Sequence, residues 1–225
     1  MKFKNKKFII FDMDGTLIDS APDLARAVNF MLESLGKKTF SQKSIDFWVG
    51  NGAATLVKRA LSGSREVDES MFSFELFTKA LDIFLDYYAK NLIVETKLFP
   101  NVKETLKELQ TRGYKFALVT NKPFDFVEPM LKELEIVEYF ELILGGDSLD
   151  KRKPDPQPLF HTCKKLGFKV KETVMIGDSK NDILAANNAN MDSIALTYGY
   201  NYGESVKEYN PTWVYDDFSD ILEVL

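Results

Sequence analysis

Five short apolar runs, separated by stretches with helical spacing, constrain the fold of this chain more than any other feature. They are Phe8-Ile9-Ile10-Phe11, Phe116-Ala117-Leu118-Val119, Leu142-Ile143-Leu144, Val174-Met175-Ile176 and Ile194-Ala195-Leu196. Each has strand length, and most end on Asp, Thr-Asn or Gly, as buried parallel strands with functional carboxyl ends would. Between them Val102, Leu106 and Leu109 repeat at helical spacing, as do Val127, Met130, Leu131 and Leu134. Gly113 and Gly167 stand where helices should stop. Strand and helix in alternation predict an α/β fold with a doubly wound parallel sheet, Rossmann-like in outline.

Residues 17–96 break that alternation. Leu24, Val28, Met31 and Leu35 form one helical stripe, ended by Gly36. Phe74, Phe77, Leu81, Phe84, Leu85 and Tyr88 form a longer, aromatic one. Two shorter helical patterns, 41–49 and 53–61, flank Gly50-Asn51-Gly52, and no segment reads as a strand. The expectation is an all-helical insert at 17–96, carried by an α/β core made of 1–16 and 97–225.

Composition closes off other classes. Of 225 residues, 29 are Lys or Arg and 34 are Asp or Glu, giving a formal net charge of -5. That surface lacks the basic excess needed to hold a phosphate backbone, so no nucleic-acid partner is expected. A hydrophobic share of 45% is that of a folded globular chain. One cysteine cannot make an intrachain disulfide, and no Cys/His cluster has zinc spacing. The basic start Met1–Lys7 leads into an apolar run that stops at Asp12, too short for a signal peptide or membrane span. A cytoplasmic protein without a membrane partner is expected.

The chemistry starts at Asp12-Met13-Asp14-Gly15-Thr16, directly after the first run. Two carboxylates two residues apart at a strand end repel unless a cation neutralises them, and Gly15 permits a sharp turn. Asp14-Gly15 alone would also make an ordinary turn. A second cluster, Gly177-Asp178-Ser179-Lys180-Asn181-Asp182, follows the fourth run. Asp178 and Asp182 can share one side of an opening helical turn, although a plain helix cap has the same residues. Acidic clusters at the ends of two strands of one sheet suggest a shared hard-cation site, and oxygen ligands favour Mg²⁺. Thr120-Asn121 could hold a phosphoryl oxygen or simply cap its strand. In Lys151-Arg152-Lys153-Pro154-Asp155-Pro156, Pro154 restricts the backbone of Lys153, which makes Lys153 rather than Lys151 the expected inward cation.

The order Asp12-x-Asp14-Gly-Thr, Thr120, Lys153-Pro154 and Gly177-Asp178-x-x-x-Asp182 resembles the four-motif signature of the haloacid dehalogenase superfamily, over essentially the whole chain. The helical insert lies where that superfamily carries its type-one cap. Three segments are similar to its phosphoglycolate phosphatase branch: Trp48–Ala53, Val119-Thr120-Asn121-Lys122-Pro123 and Leu196–Glu204. The resemblance implies a Mg²⁺-dependent phosphatase of a small phosphorylated metabolite, with Asp12 as nucleophile and Asp14 as general acid and base. It implies a metal held by Asp12, Asp178 and the Asp14 carbonyl, with Asp182 in support. Thr120 and the Asn121 amide would bind phosphoryl oxygens, and Lys153 would balance charge. It also places a specificity loop at Gly50-Asn51-Gly52, where glycines would let amides approach a small carboxylate; a plain interhelical turn fits the same residues. Hinges are expected near 17–20 and 92–99.

Other readings remain open on sequence alone. A different small-phosphate phosphatase or a phosphosugar mutase would keep the fold. A phospho-acceptor signalling module uses similar groups, but the Asp12-x-Asp14 pair so early in the chain and the insert after it argue against that. His161, off the apolar face of its helix, reads as solvated, Cys163 as a core thiol, and Trp48 as packing within the insert. Monomer and homodimer are both compatible.

Overall fold

The computed structural model describes Phe3 and residues 5–225. Met1, Lys2 and Lys4, part of the basic start read above as neither leader nor span, lie outside the described residues. In chain order the strands are β1 (Phe8–Phe11), β2 (Ile18–Asp19), β3 (Lys97–Leu98), β4 (Lys115–Val119), β5 (Phe140–Leu144), β6 (Thr173–Gly177), β7 (Asp192–Leu196) and β8 (Trp213–Tyr215). The helices are α1 (Ala21–Ser34), α2 (Gln42–Asp46), α3 (Ala53–Ser62), α4 (Phe74–Lys90), α5 (Val102–Thr111), α6 (Phe124–Glu133), α7 (Gln157–Leu166) and α8 (Lys180–Asn188).

All five apolar runs are strands of one six-stranded sheet, ordered β5-β4-β1-β6-β7-β8. Every neighbouring pair in it is parallel. Strand β8 was not foreseen: its three residues are only half-buried and present no apolar run. Because side chains alternate across a strand, β1 feeds two cores. Ile9 and Phe11 pack with α5 and α6 through Val102, Leu106, Val127 and Met130. Phe8 and Ile10 pack on the other face with Leu159 and Cys163 of α7 and Ala185 and Ala186 of α8. Each fully buried side chain of this size contributes about 1.5–3 kcal/mol relative to exposure. Gly113 and Gly167 take the positive φ that follows a helix end, as their spacing predicted.

This topology fixes where a ligand can enter. From β1 the sheet grows outward to β4 and β5, and the chain then returns to β6 on the other side of β1. A crevice opens outside the carboxyl ends where strand order reverses. Phe11 of β1 is level with both Leu118 of β4 and Ile176 of β6, so Asp12, Thr120 and Asp178 emerge side by side.

Helices α1 to α4 bury a separate core that includes Val28, Met31, Ile45, Trp48, Val57, Phe84 and Tyr88, and Phe126 of α6 joins it from the α/β side. Two expectations for this stretch need correction. It does contain strand: β2 pairs antiparallel with β3, Ile18 opposite Leu98 and Asp19 opposite Lys97, where the chain leaves the sheet and returns. Two-residue strands are too short to carry a periodic pattern. Phe74, read as part of the buried stripe, is 83% exposed, while Phe84 and Tyr88 are buried.

One buried carboxylate ties the two crossings together. Asp23 Oδ2 accepts the backbone N–H groups of Val94, Glu95 and Thr96, each at 2.9 Å, and the Thr96 hydroxyl at 2.8 Å. Burial alone would raise its pKa, but the amides of Glu95, Thr96 and Val94 and the Thr96 hydroxyl outweigh that and hold it below the ordinary value. Among the described residues no helix is long and apolar enough to cross a membrane.

Candidate active site

Asp12 follows β1 immediately and is buried, as are Asp178 after β6 and Asp182 in the first turn of α8. Each offers a carboxylate oxygen, and these oxygens lie within 4.8 Å of one another. Lys153 reaches them from the loop before α7: its Nζ is 2.9 Å from Asp12 Oδ1 and 2.6 Å from Asp182 Oδ1, and it donates to the Val119 carbonyl at 2.6 Å. Lys151 is exposed, so the geometry selects the lysine that precedes the proline.

Each carboxylate is held by its local backbone. Asp12 Oδ1 accepts the Met13 amide at 2.7 Å. Asp178 accepts the Thr16 hydroxyl and the Tyr200 amide, both at 2.6 Å. Asp182 Oδ2 accepts the amide and hydroxyl of Ser179, closing a capping box at the start of α8. The helix cap and the acidic cluster, competing readings of the sequence, are therefore both present. A Cβ at Gly15 would fall 2.2 Å from Asp178 Oδ2, and one at Gly199 2.3 Å from the same oxygen. Only glycine lets the two loops close around this carboxylate.

The electrostatics ask for a further cation. Three buried carboxylates face one ammonium, an excess of two negative charges that one divalent ion would cancel. Burial, together with the charge of Asp182, pushes Asp12 up to about 7 despite Lys153 and the Met13 amide. Burial and the charges of Asp182 and Asp12 likewise push Asp178 well above the ordinary carboxylate value, against the Thr16 hydroxyl and the Tyr200 amide. An all-oxygen donor set of this kind fits a hard divalent cation.

A chamber of about 40 Å³ opens beside Asp12, between the sheet ends and the helical insert. It is lined on the sheet side by Asp12, Asp14, Thr120, Asn121 and Lys122, and on the insert side by Leu24, Gly50, Gly52, Leu56, Phe84 and Tyr88. Asp14 points at it with two donors on Oδ1, Ser20 Oγ at 2.5 Å and Lys122 Nζ at 3.1 Å. Thr120 Oγ1 accepts the Lys122 amide at 3.2 Å. The side chain of Asn121 is committed elsewhere: Nδ2 donates to the carbonyls of Gly50 and Lys153, at 3.1 and 3.0 Å.

With this arrangement in view, the profile of the haloacid dehalogenase-like hydrolases matches residues 9–196, from β1 through β7. The chain belongs to the haloacid dehalogenase-like hydrolase family. It is 51% identical to a phosphoglycolate phosphatase of Colwellia psychrerythraea, covering 99% of this chain and 98% of that one. It is 50% identical to a phosphoglycolate phosphatase of Psychrobacter arcticus, covering 98% and 96%. Among solved structures, one described as a predicted phosphoglycolate phosphatase from Haemophilus somnus superposes with a TM-score of 0.93 at 40% identity, covering 98% of each chain.

Within this haloacid dehalogenase fold, Asp12, Asp14, Thr120, Asn121, Lys153, Asp178 and Asp182 all converge on the crevice. Of the loop Gly50-Asn51-Gly52, the two glycines line the chamber and Asn51 does not. Its contacts hold the insert on the core: the Gly50 carbonyl accepts Asn121 and Asn181, and Asn51 Nδ2 lies 3.4 Å from Asn181 Oδ1. Sequence reasoning missed Lys122, Tyr88, Ser20 and Asn181. Lys122 had one usable signal, its place two residues after Thr120 at the same strand end.

Proposed function

We propose that the chain is a Mg²⁺-dependent phosphomonoester hydrolase that converts 2-phosphoglycolate to glycolate and inorganic phosphate. One observation carries the reading: Asp12, its Oδ1 held by Lys153 and the Met13 amide, shares a small chamber with Asp14. An Asp12 oxygen attacks phosphorus, forming an aspartyl-phosphate as the bond to the leaving oxygen breaks. Asp14 gives its proton to that oxygen, releasing glycolate. As a carboxylate it then takes a proton from water, whose oxygen attacks the same phosphorus; phosphate leaves and Asp12 is restored.

Thr120 and the Asn121 amide bind phosphoryl oxygens, and Lys153 offsets charge on Asp12 and on the phosphoryl group. Asp12, Asp178 and the Asp14 carbonyl would hold the Mg²⁺, and Asp182 supports them through Lys153. When bound, the ion neutralises the carboxylate excess and draws charge from the phosphoryl oxygens. Residues 17–96, with helices α1 to α4, act as a cap over the core that excludes water and limits the leaving group.

Relatives named for this activity at 51% and 50% identity support the choice of substrate. The reading sets the enzyme in the cytoplasm, needs neither nucleic acid nor membrane, and holds for a monomer or a homodimer. Phosphate release with Mg²⁺ and with chelator, from 2-phosphoglycolate, sugar phosphates, nucleotides and pyrophosphate, tests it. The expected result is chelator-sensitive release favouring 2-phosphoglycolate. A tenfold preference for a hexose phosphate would displace that substrate.

A further inference from the structure

The proposed chemistry leaves a second buried cation without a task. Lys122 comes from the loop after β4, and its side chain is only 3% exposed. Its Nζ contacts Asp14 Oδ1 and Oδ2 at 3.1 and 3.4 Å and the Tyr88 hydroxyl at 2.7 Å, and lies 4.7 Å from the centre of the Tyr88 ring. The Asp14 carboxylate and the Tyr88 hydroxyl are its polar partners inside the chamber. Lys153 faces Asp12 and Asp182 and is thereby committed to the phosphoryl end. Among the described residues that line the chamber, Lys122 is the only cation, and beyond it the wall is apolar: Leu24, Val49, Ala53, Leu56, Phe84 and Phe126.

A substrate whose leaving group carries a negative charge cannot enter such a chamber unpaired, because an uncompensated buried charge costs several kcal/mol. We propose that Lys122 recognises a carboxylate on the leaving group and so makes the site selective for phosphate esters of small hydroxy acids, an inference that rests on phosphate-ester hydrolysis at Asp12. The geometry favours a short acid. Asp14 meets the ester oxygen, and Lys122 is the contact immediately beyond Asp14. In 2-phosphoglycolate the carboxylate is one methylene beyond that oxygen. Tyr88, brought by α4 of the insert, holds the ammonium in place, so the carboxylate is met only when the insert is docked.

The test compares 2-phosphoglycolate with 2-hydroxyethyl phosphate, an ester of similar size whose leaving group carries no charge, in wild type, Lys122→Met and Lys122→Arg. Any damage that Lys122→Met does to Asp14 lowers both rates alike and cancels in the ratio of kcat/KM values. That ratio is expected to favour 2-phosphoglycolate in wild type. It should collapse by about 10²-fold in Lys122→Met, with the KM for 2-phosphoglycolate raised, and recover in part in Lys122→Arg. An unchanged ratio in Lys122→Met overturns the assignment of Lys122 and leaves the phosphatase reading standing. Failure of the wild type to release phosphate from 2-phosphoglycolate overturns the substrate reading itself. Should Lys122→Met not fold, Lys122→Gln, which also removes the charge, carries the same comparison; a wild-type ratio there rejects the proposal.

Discussion

Two buried lysines stand on either side of the catalytic crevice, and their surroundings differ in kind. Lys153 is enclosed by the α/β core: two carboxylates and a strand-end carbonyl hold it, and all three belong to the sheet side. Lys122 is held by one carboxylate of the core and one phenol of the helical insert. The Lys153 corner is therefore complete whatever the insert does, while the Lys122 corner is complete only when α4 is in place. On the proposed reading, the charge balance for phosphoryl transfer is built wholly on the core, and the contact that discriminates leaving groups straddles the interface.

The contrast can be broken at either corner. Asp12→Asn should have the largest effect, lowering turnover on the order of 10⁴-fold or more because no other group can accept the phosphoryl; near-native phosphate release would remove Asp12 from its role. The same change should raise the melting temperature in chelator. Burial and the charge of Asp182 push Asp12 up to about 7 in the folded protein, above its unfolded value, so the native state holds the extra proton and wild-type stability should fall as pH rises from about 4 to about 7. The advantage of Asp12→Asn over wild type should therefore grow across that window.

Next in size, Lys153→Ala should lose on the order of 10²-fold in kcat for every substrate, charged leaving group or not. A loss confined to 2-phosphoglycolate would merge the two corners into one. Tyr88→Phe should be milder, about five- to tenfold in kcat/KM, since it removes one hydrogen bond of about 1 kcal/mol and leaves the Lys122–Asp14 pair in place. An effect as large as that of Lys153→Ala would show that the insert contributes to the chemistry as much as the core does.

The smallest effect is expected at the crossings. Asp23→Asn should destabilise the protein by about 1–2 kcal/mol at pH 7, measured by urea unfolding. Asp23 sits below its ordinary pKa in the folded state, so its contribution is present above the unfolded value and lost as pH falls through the folded one. The gap between wild type and Asp23→Asn should thus stay constant from neutral pH down to about 4 and close below that. A gap that closes already near pH 6 would assign the effect to another group.

The same contrast explains what could be read from the chain in advance. The Lys153 corner was legible because its parts are local signals: two acidic clusters each placed directly after an apolar strand, and a lysine fixed by the following proline. Strands β1, β4, β6 and β7 were legible for the same reason, as double-sided burial leaves unbroken apolar runs, and the edge strand β5 by its run Leu142-Ile143-Leu144. The Lys122 corner was not. A lysine between Asn121 and Pro123 looks like surface charge, and Tyr88 looks like one more aromatic in an amphipathic stripe; their meeting depends on how α4 docks, which no spacing encodes. Phe74 shows the converse, an apolar residue in phase with the stripe but beyond the surface that covers it. Strands β2, β3 and β8 escaped because two or three half-exposed residues carry no period.

The single oxygen of Asp23 that gathers Val94, Glu95 and Thr96 also has a mechanical outcome. It fastens the outgoing chain to the returning one, so the four helices hang from a joined stem rather than from two free straps. Such a mounting sets the height and angle at which α4 meets the sheet ends, and with them the place of the Tyr88 hydroxyl beside Lys122.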